Sequence, residues 1–502
     1  MPKTRKLDLV LVNPGNRSQV FQSLAADLAA IEPPIWAALI ATFIRARGFA
    51  VQIVDAEGEG LSSHETATRI IDMDPILTAV IVYGHQPSAS TQNMPAAGKL
   101  CAQLKERAPN LKTILVGGHV AALPERTLRE ENVDFTCDGE GPYTLLQLLQ
   151  ALRDKETDFT KVGGLVYRNG DRIGHAGASP LVKDLDLEMP GMAWDLLPMH
   201  KYRAHNWHCF GDLVRQPYAS FYTTLGCPFR CSFCCIQAPF KTGEELMGLK
   251  PTTNSYRMWK PKTIIAEIDK LVTQYGIRNI KIADELFVLN SKHVNDLCDL
   301  IIERNYDLNI WAYARVDTVK EGMVEKLRRA GVGWLAFGIE AASERVRDDV
   351  EKGFDQSDIT KTIGEVRAVG INIIGNFIFG LPEDDLSSMQ ATLDLAVDLN
   401  CEFANFYVAM AYPGSQLYND AVSKGWPLPK AWSGYSQHAV DTLPLPTRYL
   451  SAAEVLSFRD NAFQIYFKNP NYLSMISNKF GSETSSHIRK MAAHRLERRY
   501  VQ

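Results

Sequence analysis

A chain of 502 residues is too long for one hydrophobic core and implies two or three domains. Its 54 Lys and Arg against 58 Asp and Glu give a formal charge of -4, which argues against a nucleic-acid partner held mainly by phosphate neutralisation. No apolar run is long enough to span a bilayer. The opening MPKTRKLDLVLVNP runs into a short strand and not into a signal-peptide core and cleavage site, so a cytoplasmic protein is expected.

Residues 1–158 alternate short apolar strands with amphipathic helices, the pattern of a Rossmann-like, doubly wound α/β domain. Strands fit Leu7–Val12, Ala50–Val54, Ala79–Tyr83, Thr113–Val116 and Asp134–Thr136, with helices around 35–47, 63–72, 93–107, 122–131 and 142–153. Residues 159–215 read as a connector that opens on a hairpin, Gly163 to Gly170, turning at Asn169-Gly170. From 216 to 412 a strand and then a helix recur, giving six strands: Ala219–Thr224, Asn279–Asp284, Asn309–Ala314, Val332–Gly338, Asn372–Phe379 and Glu402–Val408. Helices fit 261–275, 291–304, 320–330, 356–369 and 386–398. Six units are too few to close an eight-stranded barrel, so a partial (β/α)6 TIM-type barrel is expected, with its chemistry at the carboxyl ends of the strands. Residues 413–502 read as a helical C-terminal region, whose basic tail Arg489–Arg499 fits a solvated helix face.

Directly after the first barrel strand comes Gly226-Cys227-Pro228-Phe229-Arg230-Cys231-Ser232-Phe233-Cys234. A cubane iron–sulfur cluster has four irons, normally held by four thiolates. Three thiolates leave one iron open to a small chelating molecule. Zinc would need four ligands, usually two separated pairs, and no second pair lies nearby. Cys235 is out of register and reads as a bystander. Cys101, Cys137, Cys209, Cys298 and Cys401 are scattered, as buried thiols in a reducing compartment are. The C-x3-C-x2-C motif, with Phe233 before its last cysteine, resembles that of the radical S-adenosylmethionine (SAM) enzymes. The resemblance implies a 4Fe-4S cluster on Cys227, Cys231 and Cys234, with SAM chelating the fourth iron through its amino and carboxylate groups. It extends over Tyr218 to Pro413 and assigns roles to the strand ends. Asp284 and Glu285 would receive the SAM ammonium and Arg315 its carboxylate. Glu340 with Ser343 would meet the ribose, and the turn at Gly380 the adenine. For Asp284 taken alone, helix capping is the simpler reading.

The first domain lacks G-x-G-x-x-G after its first strand, where the run is Val12-Asn13-Pro14-Gly15-Asn16-Arg17, so a dinucleotide is not expected. It has Pro33-Pro34 opening the first helix, Gly117-Gly118-His119 after the fourth strand and Gly139-Glu140-Gly141 before the fifth helix. These glycines allow a large planar ligand and its nucleotide tail to approach the backbone closely. IEPPIWAALIATFIRARGFAVQIVDA, ILVGGHVAALPE and CDGEGPYTLLQLL resemble the cobalamin-binding domain that precedes the barrel in cobalamin-dependent radical SAM enzymes. The D-x-H-x-x-G run that many cobalamin carriers place under cobalt is missing. His85, after the third strand, reads either as a lower cobalt ligand or as an ordinary hydrogen-bonded histidine.

The resemblance implies a class B-like radical SAM methyltransferase. Reductive cleavage of one SAM would give a 5'-deoxyadenosyl radical that takes a hydrogen atom from a small-molecule substrate. Methylcobalamin would then methylate that unactivated carbon, or phosphorus, and a second SAM would restore the cofactor. An external electron donor such as flavodoxin or ferredoxin is implied. His205, Trp207, His208, Tyr412, Trp432 and Tyr435 are candidate substrate contacts, or ordinary packing. Three other readings stay open: a cobalamin-dependent cyclase or rearrangement enzyme without methyl transfer, a methylthiotransferase, and a non-catalytic cobalamin sensor.

Overall fold

A computed structural model describes residues 7–501, apart from 16–19, 21, 23–27, 85 and 321. Its N-terminal sheet holds β1 (Leu9–Asn13), β2 (Val51–Asp55), β3 (Leu77–Ile81), β4 (Lys112–Val116) and β5 (Phe135–Cys137), all parallel, in the order β2-β1-β3-β4-β5. Runs such as LVLVN and LTAVI are apolar on both faces because helices cover both faces. The helices begin and end where local chemistry dictates. Ser62 and Glu65 cap Ser63–Met73 reciprocally, and Pro142 opens Pro142–Arg153 at its first position.

The hairpin of the expected connector, β6 (Leu165–Asn169) and β7 (Arg172–His175), instead extends this sheet, with Phe135 paired to Tyr167 and Cys137 to Leu165. Buried Leu165 and Tyr167 join the core, and the pairing covers what would be an open edge at β5.

The second sheet is the expected partial barrel. Its strands β8 (Tyr218–Phe221), β11 (Asn279–Ile282), β12 (Asn309–Ala314), β13 (Val332–Glu340), β14 (Asn372–Phe379) and β15 (Phe403–Val408) are parallel and lie in that order. A short antiparallel ribbon, β9 (Thr224–Leu225) with β10 (Arg257–Met258), sits beside the cysteine loop. Helix Ala452–Phe467 lies along the open side at β15. There Phe458 meets Phe379 edge-on at 5.1 Å, and the Tyr466 hydroxyl donates to the Cys401 carbonyl at 2.6 Å. Arg498, in the tail read as a solvated face, is instead buried against Asp460 at 2.8 Å.

The connector plugs the amino-terminal end of the barrel with aromatics. Trp207 packs on Trp311 at 5.0 Å and on Trp334 at 5.6 Å. One apolar core runs through both sheets and the interface between them, so the rim of the barrel and the carboxyl edge of the first sheet are held face to face.

Candidate active site

The cysteine loop is fixed by its neighbours before any metal binds. The Cys227 amide donates to Gln237 Oε1 at 3.1 Å. Asn254 Nδ2 donates to the carbonyls of Cys227 (3.0 Å) and Phe229 (2.7 Å), and the Cys234 amide closes a turn onto the Cys231 carbonyl at 2.9 Å. Gly226 enters the loop at φ +85, where a Cβ would collide with the Ser255 carbonyl, so only glycine fits. Cys227, Cys231 and Cys234 all line one cavity of about 300 Å³ at the barrel rim, together with Phe233, Glu285, Arg315, Gly338 and Glu340. Among the described residues, no three His, Cys, Asp or Glu side chains are arranged for a single metal ion. In a cubane, each thiolate binds a different iron, which suits ligands spread along a cavity wall.

Arg315, at the end of β12, brings Nη1 to 3.8 Å from Cys231 Sγ. It is steadied by Asp317 at 2.7 Å and by the Phe229 ring under its guanidinium at 4.2 Å. A second cation, Lys352, was not found from the sequence. It pairs with Glu340, and Gly338 leaves the space that the Lys352 ammonium occupies. Burial works against the charged lysine, but the Glu340 carboxylate holds its pKa above the ordinary value. Glu340 itself sits at φ +64, at a register break between β13 and β14, a strained conformation of the kind that clusters at functional sites. Burial pushes the Cys227 thiol up to about 11, so bound metal is what would hold it as thiolate at neutral pH.

Glu285 faces the same cavity, and burial pushes its carboxyl up to about 8 against the opposing pull of Lys281. Its neighbour Asp284 does not line it. The Asp284 carboxylate is buried and accepts from the amides of Thr223 (2.5 Å) and Thr224 (3.1 Å) and from the Thr223 hydroxyl, which ties β8 to the end of β11. Ser343 and Gly380 also lie outside the cavity lining. Ser343 precedes the short helix Glu344–Asp349. The Gly380 amide donates to Asp384 at 3.0 Å, with Val455 packed where a side chain would point.

The first sheet adds a second half to the site. A crevice of about 80 Å³ opens where Asn13 at the end of β1 and Ile81, Tyr83 and Gly84 at and beyond the end of β3 diverge, the topological switch point at which such sheets bind ligands. A smaller cavity of about 40 Å³, lined by Gly118, Tyr222 and Phe240, adjoins both. It shares Trp36, Tyr83 and Gly84 with the crevice, and Gln86, Pro87, Cys235, Ile236 and Glu285 with the cysteine cavity. Cys235, read as a bystander, therefore lies on the shared wall. The three spaces are neighbours with shared walls, in series from the first sheet to the cysteines.

Residues 221–396 match the radical SAM superfamily, and residues 22–149 match the B12 binding domain. The chain is a cobalamin-dependent radical SAM enzyme. Its cofactors are a 4Fe-4S cluster, SAM and cobalamin. The enzyme is 27% identical over 442 residues to the uncharacterized methyltransferase PH0819 of Pyrococcus horikoshii, covering 88% of this chain and 89% of that one. It is 25% identical over 420 residues to the anaerobic magnesium-protoporphyrin IX monomethyl ester cyclase of Cereibacter sphaeroides, covering 82% of this chain and 63% of the cyclase. The fold is shared with the radical SAM methyltransferase TsrM of Kitasatospora setae, at a TM-score of 0.66, 15% identity, and coverage of 97% of this chain and 100% of that one.

The remaining expected cobalamin contacts divide. At Gly84 and Gly117 a Cβ would strike Ala89 and the Val82 carbonyl respectively, so packing within the first domain requires glycine there; Gly84 lines the crevice and Gly118 the adjoining cavity. The crevice itself, open at the switch point of the sheet, fits a large ligand laid on the sheet edge. His119 turns away, with Nδ1 3.2 Å from Thr91 Oγ1 and its ring edge-on to Trp432 at 4.4 Å; burial pulls it down to about 3. Glu140 is bonded to Arg257 at 2.7 Å and is not in a cavity lining, while Gly139 and Gly141 shape the turn around it at φ +149 and +110. His85 lies outside the described residues. Of the candidate substrate contacts, Tyr412 lines the cysteine cavity and His205 the crevice. Trp207 and His208 pack in the barrel floor, and Trp432 stacks under Arg126 of the first domain at 4.5 Å.

Proposed function

We propose that the enzyme methylates an unactivated carbon, or phosphorus, of a small molecule bound where the cobalamin crevice meets the cluster cavity. The observation that carries this reading is the shared wall at Glu285 and Cys235, which sets the crevice of the first sheet and the cysteine cavity on either side of one small intervening space. When bound, the cluster supplies the electron that splits SAM, and cobalamin supplies the methyl group.

Cys227, Cys231 and Cys234 hold the cluster. Arg315 and Lys352 place positive charge beside the thiolates, where it offsets the charge of the cluster and meets the SAM carboxylate. Glu285 receives the SAM ammonium, and Glu340, oriented by Lys352, meets the ribose. Phe229, Phe233, Ile236 and Met410 line the cavity with apolar surface that excludes water. An external low-potential donor such as flavodoxin or ferredoxin provides electrons, in the cytoplasm. No helix among the described residues is long and apolar enough to cross a membrane.

Incubating reduced, cobalamin-loaded enzyme with methyl-labelled SAM and candidate substrates tests the reading. Label in a product, together with both S-adenosylhomocysteine and 5'-deoxyadenosine, supports it. The similarity to the cyclase favours a second reading, without methyl transfer. In that case deoxyadenosine forms and product carries no label.

A further inference from the structure

We propose, building on the methyl-transfer reading, that two buried ion pairs between the domains hold the cobalamin crevice in register with the cluster cavity. Glu32–Lys281 and Glu140–Arg257 are thus positioning pairs for methyl delivery. Both run from a carboxylate on the first domain to a cation on the barrel. Glu32, in the loop leading to Pro33-Pro34, lies 3.2 Å from the Lys281 ammonium through each carboxylate oxygen, with His205 Nε2 at 3.7 Å. Glu140, after β5, meets Arg257 of β10 at 2.7 and 3.2 Å, and both also bond the Val182 backbone. All four side chains are at most 8% exposed.

Their placement gives them this role. Trp36, in the helix that follows Glu32, stacks on Tyr83 at 4.3 Å. It also packs against Phe240 and Tyr222 of the barrel at 6.2 and 6.4 Å. The Tyr83 hydroxyl donates to the Glu140 carbonyl at 2.7 Å. The aromatic wall between crevice and cavity is therefore tied to one lock through Trp36 and to the other through Tyr83. Lys281 lies in β11, and Ala283 and Glu285, which follow the strand, line the cavity, so the first lock is seated on the strand that leads into the cavity. An apolar interface tolerates sliding, whereas a buried charge separated from its partner does not. Severing such a pair strands a buried charge and is strongly destabilising, while replacing both partners with neutral groups is often nearly neutral for stability. Reacting groups displaced by about 1 Å can lose about a hundredfold in rate.

The residues assigned to the cluster and to SAM all belong to the barrel, whereas giving up the methyl group requires both domains in register. The ratio of S-adenosylhomocysteine to 5'-deoxyadenosine in one reduced, cobalamin- and cluster-loaded sample therefore reports alignment. In E140Q/R257M the ratio is expected to fall about a hundredfold, with deoxyadenosine within about twofold of the parent; in E32Q/K281M, which also removes the Lys281 charge acting on Glu285, the ratio is expected to fall likewise when both products are read at saturating SAM. The magnetic interaction between the reduced cluster and cob(II)alamin, which needs no turnover, is expected to report a changed or broadened distance in the same variants, while K281R keeps the parental value. Equal loss of both products, or an unchanged ratio with an unchanged distance, would overturn the proposal. Should the parent form deoxyadenosine and no S-adenosylhomocysteine, the methyl-transfer reading fails. The locks then stand or fall on the distance alone.

Discussion

Replacing Arg315 with Gln removes a positive charge 3.8 Å from Cys231 Sγ while keeping a planar polar group in its place. At about 4–6 Å and an effective dielectric of about 20, one unit charge acts on another with about 3–4 kcal/mol. With about 1.36 kcal/mol and 59 mV per tenfold change for one electron, that corresponds to about 120–180 mV. A reduced cluster carries one more negative charge than an oxidised one, so the guanidinium favours reduction. Lys352 remains nearby and solvent screens part of the change, so R315Q is expected to lower the cluster potential by on the order of 100 mV. The stranded partner, Asp317, is 32% exposed and costs little fold stability. An anaerobic redox titration followed by electron paramagnetic resonance reads the shift, with iron content measured on the same sample. A potential within about 20 mV of the parent in fully loaded protein would refute the electrostatic role of Arg315.

Gly226 and Gly248 both have positive φ, but only Gly226 has backbone against it. G226A is therefore expected to lose iron on reconstitution with every cysteine intact, whereas G248A, with open space around its Cβ, retains it; equal iron in both would contradict the steric reasoning. For Glu285, the folded pKa of about 8 lies above its ordinary value of 4.5, so the folded protein binds this proton more tightly than the unfolded chain. The resulting stability is complete below about pH 4.5 and is lost as the pH rises through about 8. In SAM-free protein, E285Q should thus gain on the parent between about pH 5 and 9, by on the order of 2 kcal/mol in urea unfolding; parallel pH profiles would show that Glu285 is not buried as described.

Strand and helix positions were legible because the periodicity of the chain is strong. Parallel strands buried on both faces read as apolar runs, and the rim position of Cys227, Cys231 and Cys234 followed from their place after the first barrel strand. Single polar residues in tight turns were harder to read. Asp284 and Glu285 are adjacent and chemically alike, yet in the turn after β11 Glu285 enters the cavity lining and Asp284 bonds the Thr223 backbone. Glu140, between two glycines, resembled a ligand cradle, and only the approach of Arg257, 117 residues on, shows it to be an interdomain bond. Lys281 carried a signal that was there to be used. It is a lone charge in the apolar strand NIKI, and such a charge needs a buried partner. That partner, Glu32, lies 249 residues away in sequence. Lys352, in a loop, carried no periodic signal at all.

The most direct test of the account begins with anaerobic purification and reconstitution. Iron and cobalt are then counted per chain, and SAM products are followed after strong reduction. About four irons and about one cobalt are expected, with 5'-deoxyadenosine formed from SAM, and loss of both iron and deoxyadenosine in C231A with cobalt retained. Protein that takes up cobalamin but no iron, and leaves SAM intact, would contradict it.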